Sequence, residues 1–362
     1  MEQKIAFPVL ELSGTPREIG RQHGRLAREQ LDVSMRCYRS MFEDYSHITW
    51  AAARRYARTF LEPIGDYDPE ILEEIRGVAE GSGYDLEDIL ALNVRSEIVL
   101  QSGQLSQGCT ALALTPPVTR GGETWLAQNW DWKVGQRQAY VLLHIRQRHK
   151  PDLFLFTEAG IVGKLGFNSA GVGVCLNALG SDQRVEGPTV PLHIVLRGIL
   201  NSATLSDAIQ NVGRVHTACC ANFLTASGEG QAISIEAGPG DFDVLYAEEG
   251  WIAHTNHFVA PRWQTVHDTG KMAFPDTFLR YGRVRQLLRA AVDRGPAGFP
   301  EIQDILRDHM GYPDAICRHE DPSEPPEKRM GTVFSIAMNL TRRELYLTAG
   351  NPCQTPYLRC GM

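Results

Sequence analysis

The sequence predicts an α+β fold in which an antiparallel sheet core is covered by helices. Three observations lead there. The first hundred residues carry helix-start signals and helical periodicity, strand-like runs begin at Gly108, and the later strand groups are interrupted by helix pairs instead of alternating strictly with helices. The 362 residues are 43% hydrophobic, which excludes a disordered chain and suffices for one large domain. With 36 Lys plus Arg against 43 Asp plus Glu, the net charge of −7 argues against a general nucleic-acid binder, which needs a basic stripe. No apolar run approaches the roughly 18 residues of a membrane span. The start, Met1 to Phe7, lacks the segments of a secretory signal, so a soluble cytoplasmic protein is expected, with neither nucleic acid nor membrane as partner.

Thr15-Pro16-Arg17-Glu18 reads as a helix start: a Thr cap, Pro where its missing N–H costs nothing, and Glu18 placed to reach back to the cap. This helix is expected to run through Ile19, His23, Leu26 and Leu31. Further helices are expected around 51–61, 69–79 and 86–96, the last two broken by Gly81-Ser82-Gly83. From Cys109 to Leu114 and from Thr124 to Gln128 the sequence reads as a strand pair joined by a loop with Pro116-Pro117 and Gly121-Gly122. Strands follow at 139–145, 153–157, 161–167 and 172–176, with Asn168-Ser169-Ala170-Gly171 as a hairpin turn. Helices at 192–200 and 205–212 precede strands at 221–225, 232–236 and 243–247, a long helix at 275–292, and strands at 332–338 and 344–348. Ser323 to Glu327, with Pro325-Pro326, reads as an exposed loop.

Eight cysteines occur: Cys37, Cys109, Cys175, Cys219, Cys220, Cys317, Cys353 and Cys360. A long chain without a secretory signal does not call for a disulfide framework, and no Cys-x-x-Cys pair suggests zinc or redox chemistry. Most are expected to be small buried hydrophobes. Cys109 stands apart because Gly108 precedes it at the head of a strand. The glycine leaves its carbonyl open to the thiol; acyl shift to sulfur and hydrolysis would free an α-amine on the same residue. With a reference pKa of about 7.7–8.0, that amine can act as base for its own nucleophile. A hairpin centred on Arg120 sets Asp131 opposite Cys109, with Asn129 on the same face, so a carboxylate would orient the amine.

Gly108-Cys109-Thr110 followed by Gln128-Asn129-Trp130-Asp131 resembles the isopenicillin N acyltransferase (acyl-coenzyme A:6-aminopenicillanic acid acyltransferase) family of self-processing cysteine N-terminal nucleophile hydrolases. The resemblance extends over nearly the whole chain. It takes in Gly14 to Gly20 with His23-Gly24, Glu74-Ile75-Arg76-Gly77, Thr157 to Ile161, Gly166 to Val172, His254-Thr255-Asn256-His257, Ile316-Cys317-Arg318 and Arg342-Arg343-Glu344. It implies a single domain over 1–362 with the four-layer αββα sandwich, two antiparallel sheets between helical layers. Autocleavage between Gly108 and Cys109 would give a mostly helical α chain, 1–108, and a β chain, 109–362, held together as partners. By matching position, the resemblance implies Cys109 as nucleophile, Asp131 as catalytic aspartate, Asn256 as oxyanion donor and Arg329 as site arginine. Arg318 resembles a second arginine near the substrate pocket. At the substrate-contacting position the family pattern has a serine where this chain has Ala221, followed by Asn222; Lys328 likewise replaces a serine beside Arg329.

An oxyanion donor such as the Asn256 amide is typically worth about 2.7–4 kcal/mol. His254 and His257 lack a nearby third ligand, so no metal site is expected, and no cofactor beyond a coenzyme A thioester serving as acyl donor. The function expected is cleavage of a small-molecule N-acyl amide through a Cys109 thioester, with the acyl group passed to water or an amine. The alternatives are a true acyl-CoA-dependent N-acyltransferase acting on a β-lactam or other amine, a non-maturing small-molecule binding protein, and a thiol-redox protein.

Overall fold

The computed structural model describes residues 7–100, 108–183, 189–325 and 329–361. Its strands, in chain order, are β1 (Val9–Ser13), β2 (Thr110–Leu114), β3 (Trp125–Lys133), β4 (Tyr140–Arg146), β5 (Leu153–Glu158), β6 (Leu165–Asn168), β7 (Val172–Ala178), β8 (Ala221–Ser227), β9 (Gln231–Gly238), β10 (Asp241–Tyr246), β11 (Trp251–His254), β12 (Met330–Asn339), β13 (Glu344–Thr348) and β14 (Leu358–Gly361). One sheet has the order β1-β4-β5-β6-β7-β8-β9-β10 and the other β11-β2-β3-β12-β13-β14. All pairings are antiparallel except β1 with β4. The helices of the first hundred residues, with Leu192–Leu200 and Leu205–Gly213, cover the larger sheet, while Asp276–Asp293 and Phe299–Leu306 cover the smaller. The fold is therefore an αββα sandwich.

Alternation along β2 and β3 decides what each face can do. Leu112, Leu114, Trp125 and Ala127 pack under the Asp276–Asp293 and Phe299–Leu306 helices. Cys109, Ala111, Ala113, Leu126 and Trp130 belong to the main core, and Gln128 crosses to the larger sheet, where its amide holds the Leu176 carbonyl and amide nitrogen. The observed register pairs Thr110 with Asn129 and Leu114 with Trp125, one residue away from the pairing centred on Arg120. A one-residue slip exchanges the faces, so the carboxylate of Asp131 points to the helix side with Asn129. The ten-residue connection, with Gly121 at φ 68° and Gly122 at φ 67°, is a loop too long to dictate the register of its strands.

The first helix starts as expected. Glu18 N donates to Thr15 Oγ1 and Thr15 N to Glu18 Oε2. It ends at Leu26, however, and a second helix runs Arg28–Ser46. Nor does Gly81 break its helix, which continues over Pro69–Ser82 until Gly83 closes it in a left-handed cap. The reason lies in the crossing of these two helices: a Cβ on Gly20 or Gly24 would strike the backbone of Glu74 or Val78, and one on Gly77 or Gly81 the backbone of Arg17 or Arg21. Four glycines at spacing four let the backbones touch, a packing signal instead of a turn signal. Strands β1, β11 and β14 and the helix Phe299–Leu306 go beyond the sequence expectation. Among the described residues, no helix is long and apolar enough to cross a membrane. Of the expected exposed loop, Ser323 to Pro325 are exposed, whereas Pro326 and Glu327, like Lys328 after them, lie outside the described residues.

Candidate active site

Cys109 is fully buried immediately before β2. Its backbone nitrogen donates to Asn256 Oδ1 at 2.8 Å, and its carbonyl accepts from Arg280 Nη1 at 2.8 Å and Asn177 Nδ2 at 3.2 Å. Arg280 Nη2 also donates to Asn256 Oδ1, at 3.1 Å. Two N–H donors converging on one atom require the carbonyl side of the Asn256 amide there, which turns Nδ2 towards the Ala178 carbonyl at 3.1 Å. Asn256 thus holds the backbone nitrogen of Cys109.

Asp131 sits on the helix side. Thr332 Oγ1 donates to its Oδ1 at 2.7 Å, and Arg318 Nε lies 3.5 Å from its Oδ2. Arg318 also pairs with Asp276 and Asp314, and Asp276 in turn accepts from Arg280 Nε at 2.7 Å. Two buried arginines therefore share three aspartates. Although burial opposes its charge, the Asp131, Asp276 and Asp314 carboxylates hold Arg318 more firmly cationic than usual. The sharing leaves Asp131 incompletely compensated: burial pushes its carboxyl up to about 7 against the pull of Arg318 and Arg280. The Cys109 thiol is pushed up to about 12, by burial first and the Asp131 charge second, while the Asp131 backbone N–H, Arg280 and Lys164 pull the other way. The sulfur is held as a thiol.

Gly108 is constrained by what lies against it. A Cβ there would stand 2.7 Å from Arg318 Nε and 3.0 Å from its Cζ, so the guanidinium lies against the residue that precedes Cys109. Any side chain there would have to push the Arg318 guanidinium aside.

The structure thus brings together Gly108, Cys109, Asp131, Asn256 and Arg318. It does not bring Arg329 to them: that guanidinium donates to the carbonyls of Glu324 and Pro322 and caps its own loop. Arg318 and Arg280 occupy the place expected of it. Arg280 was missed because a helix far along the chain delivers it; its one sequence signal is Asp276 four residues earlier. Ala221 and Asn222 are fully buried in β8, as Cys109 and Asp131 are in their places. Asn222 Nδ2 donates to Asn177 Oδ1 at 3.1 Å and its Oδ1 accepts from Ser234, so it orients the amide that holds the Cys109 carbonyl. His254 is bound to Glu236 at 2.6 Å, and His257 Nδ1 is 2.9 Å from Thr277 Oγ1, with burial lowering its pKa to about 4.

The family model for acyl-coenzyme A:6-aminopenicillanic acid acyl-transferase matches residues 118–354. The chain belongs to this acyltransferase family. Within it, the chain is 29% identical over 343 residues to the 40 kDa form of acyl-coenzyme A:6-aminopenicillanic-acid-acyltransferase of Emericella nidulans, covering 94% of this chain and 91% of the relative. Among solved structures, penicillin V acylase from Agrobacterium tumefaciens is 13% identical with a TM-score of 0.46, covering 67% of this chain and 83% of that one. A mutant of conjugated bile acid hydrolase from Clostridium perfringens is 14% identical with a TM-score of 0.42, covering 67% and 89%. Membership of an acyltransferase family makes the chain an enzyme.

Proposed function

We propose that this acyltransferase-family chain cuts itself between Gly108 and Cys109 and then transfers acyl groups from N-acyl amides through a Cys109 thioester. The observation that carries the reading is a single buried cysteine whose nitrogen is held by Asn256 and whose preceding residue is a glycine pressed against Arg318. In the first step Cys109 Sγ attacks the Gly108 carbonyl carbon, the C–N bond breaks as the C–S bond forms, and the nitrogen keeps its own proton and takes the one the thiol gives up, becoming the α-amine. Water then hydrolyses the thioester and leaves a carboxylate on Gly108. In the second stage the freed amine takes the thiol proton as sulfur attacks a substrate amide, and returns it to the leaving amine. Asn256 Nδ2 has a second N–H besides the one given to Ala178, suited to the developing oxyanion. Asp131 is suited to orient the new ammonium.

The name of the Emericella relative supports a second source of acyl groups, a coenzyme A thioester, with 6-aminopenicillanic acid or another amine as acceptor. Whether the thioester meets water or an amine depends on the pocket's wetness. The eight cysteines are all unpaired thiols, which suits work in a reducing compartment such as the cytoplasm.

Intact mass spectrometry tests the reading. The wild type is expected as two chains, 1–108 and 109–362, and Cys109→Ala as one. An unbroken wild-type chain, or a cut that survives the substitution, overturns it. Product analysis with an N-acyl amide alone and with acyl-CoA plus an amine then separates the two acyl sources.

A further inference from the structure

Four metal-ligating side chains converge on the far side of Arg318 from Asp131, outside the machinery described above. His309 and His319 bring their Nε2 atoms to 3.1 Å, Cys317 and Cys353 their sulfurs to 3.5 Å, and His319 Nε2 lies 3.7 Å from Cys317 Sγ and 3.4 Å from Cys353 Sγ. One ligand atom from each residue lies within 4.8 Å of every other. Zn–S bonds of about 2.3 Å and Zn–N bonds of about 2.0–2.1 Å in a tetrahedron give edges of roughly 3.8 Å for S–S, 3.3 Å for N–N and 3.6 Å for S–N. Four of the six edges fall within about 0.3 Å of these values, and the other two, from His309 Nε2 to the two sulfurs, lie within 4.8 Å.

We infer that His309, Cys317, His319 and Cys353 form a tetrahedral Cys2His2 site for a structural zinc ion. Two thiolates and two imidazoles are the donor set that suits zinc over the hard cations. Four protein ligands close the coordination sphere, so the ion would hold structure and leave no open position for substrate. The surroundings fit such a role. Asn351 Nδ2 donates to Cys317 Sγ at 3.5 Å, an outer-shell contact that would steady a thiolate, and to the Arg318 carbonyl at 2.7 Å. Because Cys317 and His319 flank Arg318, zinc would clamp the arginine's backbone from both sides and tie it to the 351–353 segment. The sequence concealed the site because its ligands come from three separated stretches, none with a paired-cysteine spacing.

Metal analysis of the full chain, purified under a phosphine reductant without chelators, is expected to find one zinc per chain. Replacement by cobalt(II) is expected to give the ligand-field and thiolate charge-transfer absorption of a tetrahedral S2N2 site. Cys353→Ser and His309→Ala, both at exposed positions, are expected to weaken zinc binding by more than about 100-fold, since even outer-shell changes cost about 10–100-fold. Zinc at background level with no cobalt spectrum overturns the inference, as does a Cys317–Cys353 disulfide in the reduced preparation. A metal-free chain that still cuts at Gly108 overturns the zinc site alone and leaves the acyl-transfer reading standing.

Discussion

The two faces of the β2–β3 pair are both buried and both charged, yet they settle their charges differently. Between the sheets, Glu158 pairs with Lys164 and accepts from the hydroxyls of Tyr38 at 3.1 Å and Tyr140 at 3.2 Å. Lys164 also sits 4.0 Å above the Trp130 ring, and Arg95 stands over Trp132 at 4.8 Å. Burial disfavours the Glu158 charge, but Lys164 and Arg95 outweigh it and hold the carboxyl down at about 2. On the helix side, Asp131 must share Arg318 with Asp276 and Asp314, and burial leaves its carboxyl near 7. The first arrangement fixes the Glu158 charge, although burial brings its Lys164 partner down to about 7; the second poises the carboxyl of Asp131 itself.

Four substitutions test that contrast, from the largest effect to the smallest. Lys164→Met strands the Glu158 charge and is expected to cost about 3–5 kcal/mol in urea unfolding, with Glu158→Gln in the same chain recovering part of the loss. Full stability in the single variant would show that Arg95 alone compensates Glu158. Gly108→Ala displaces the Arg318 guanidinium and is expected to slow self-cleavage about 100-fold, followed by mass spectrometry. Unchanged kinetics would mean that Arg318 does not position the cut bond.

For Asp131→Asn the reading is in pH. A carboxyl near 7 protonates below neutrality and loses the charge that would orient the new ammonium, so wild-type acyl transfer is expected to slow by up to about tenfold per unit below pH 7, a limb the Asn variant lacks. The stability sign is opposite to that of an ordinary paired aspartate. Raised from 3.8 to about 7, the group favours the fold fully below 3.8, and that contribution is lost as pH rises through about 7. In a Cys109→Ala background, the stability of the chain that keeps Asp131, relative to the one carrying Asp131→Asn, is therefore expected to fall between pH 4 and 7 by up to about 1.4 kcal/mol per unit. Arg329→Ala, last, is expected to stay within about 0.5 kcal/mol and to leave cleavage untouched, because its bonds end on its own loop.

Local chemistry was legible in the sequence, while distant convergence was not. The Thr15 capping box, the turn at Asn168 to Gly171 and the helix at 192–200 follow from neighbours along the chain. The β2–β3 pairing was also legible, but its register was not, since a ten-residue loop leaves the choice to packing on both faces. Cys109 stood out in the sequence through Gly108, whereas Arg280, Asn177 and the His309–Cys353 cluster are assembled only when strands and helices far apart in sequence meet.

The contact between Gly108 and Arg318 reaches beyond self-cleavage. On the proposed reading, the chain's own Gly108 is the first acyl group its cysteine handles, and later acyl groups occupy the place it vacates. An acyl donor with a plain methylene beside its carbonyl matches glycine there, whereas one carrying an α-substituent in the position of an L side chain meets the guanidinium. Linear acyl chains are thus expected to turn over faster than their α-branched isomers, and replacing Arg318 with a smaller residue to narrow that gap.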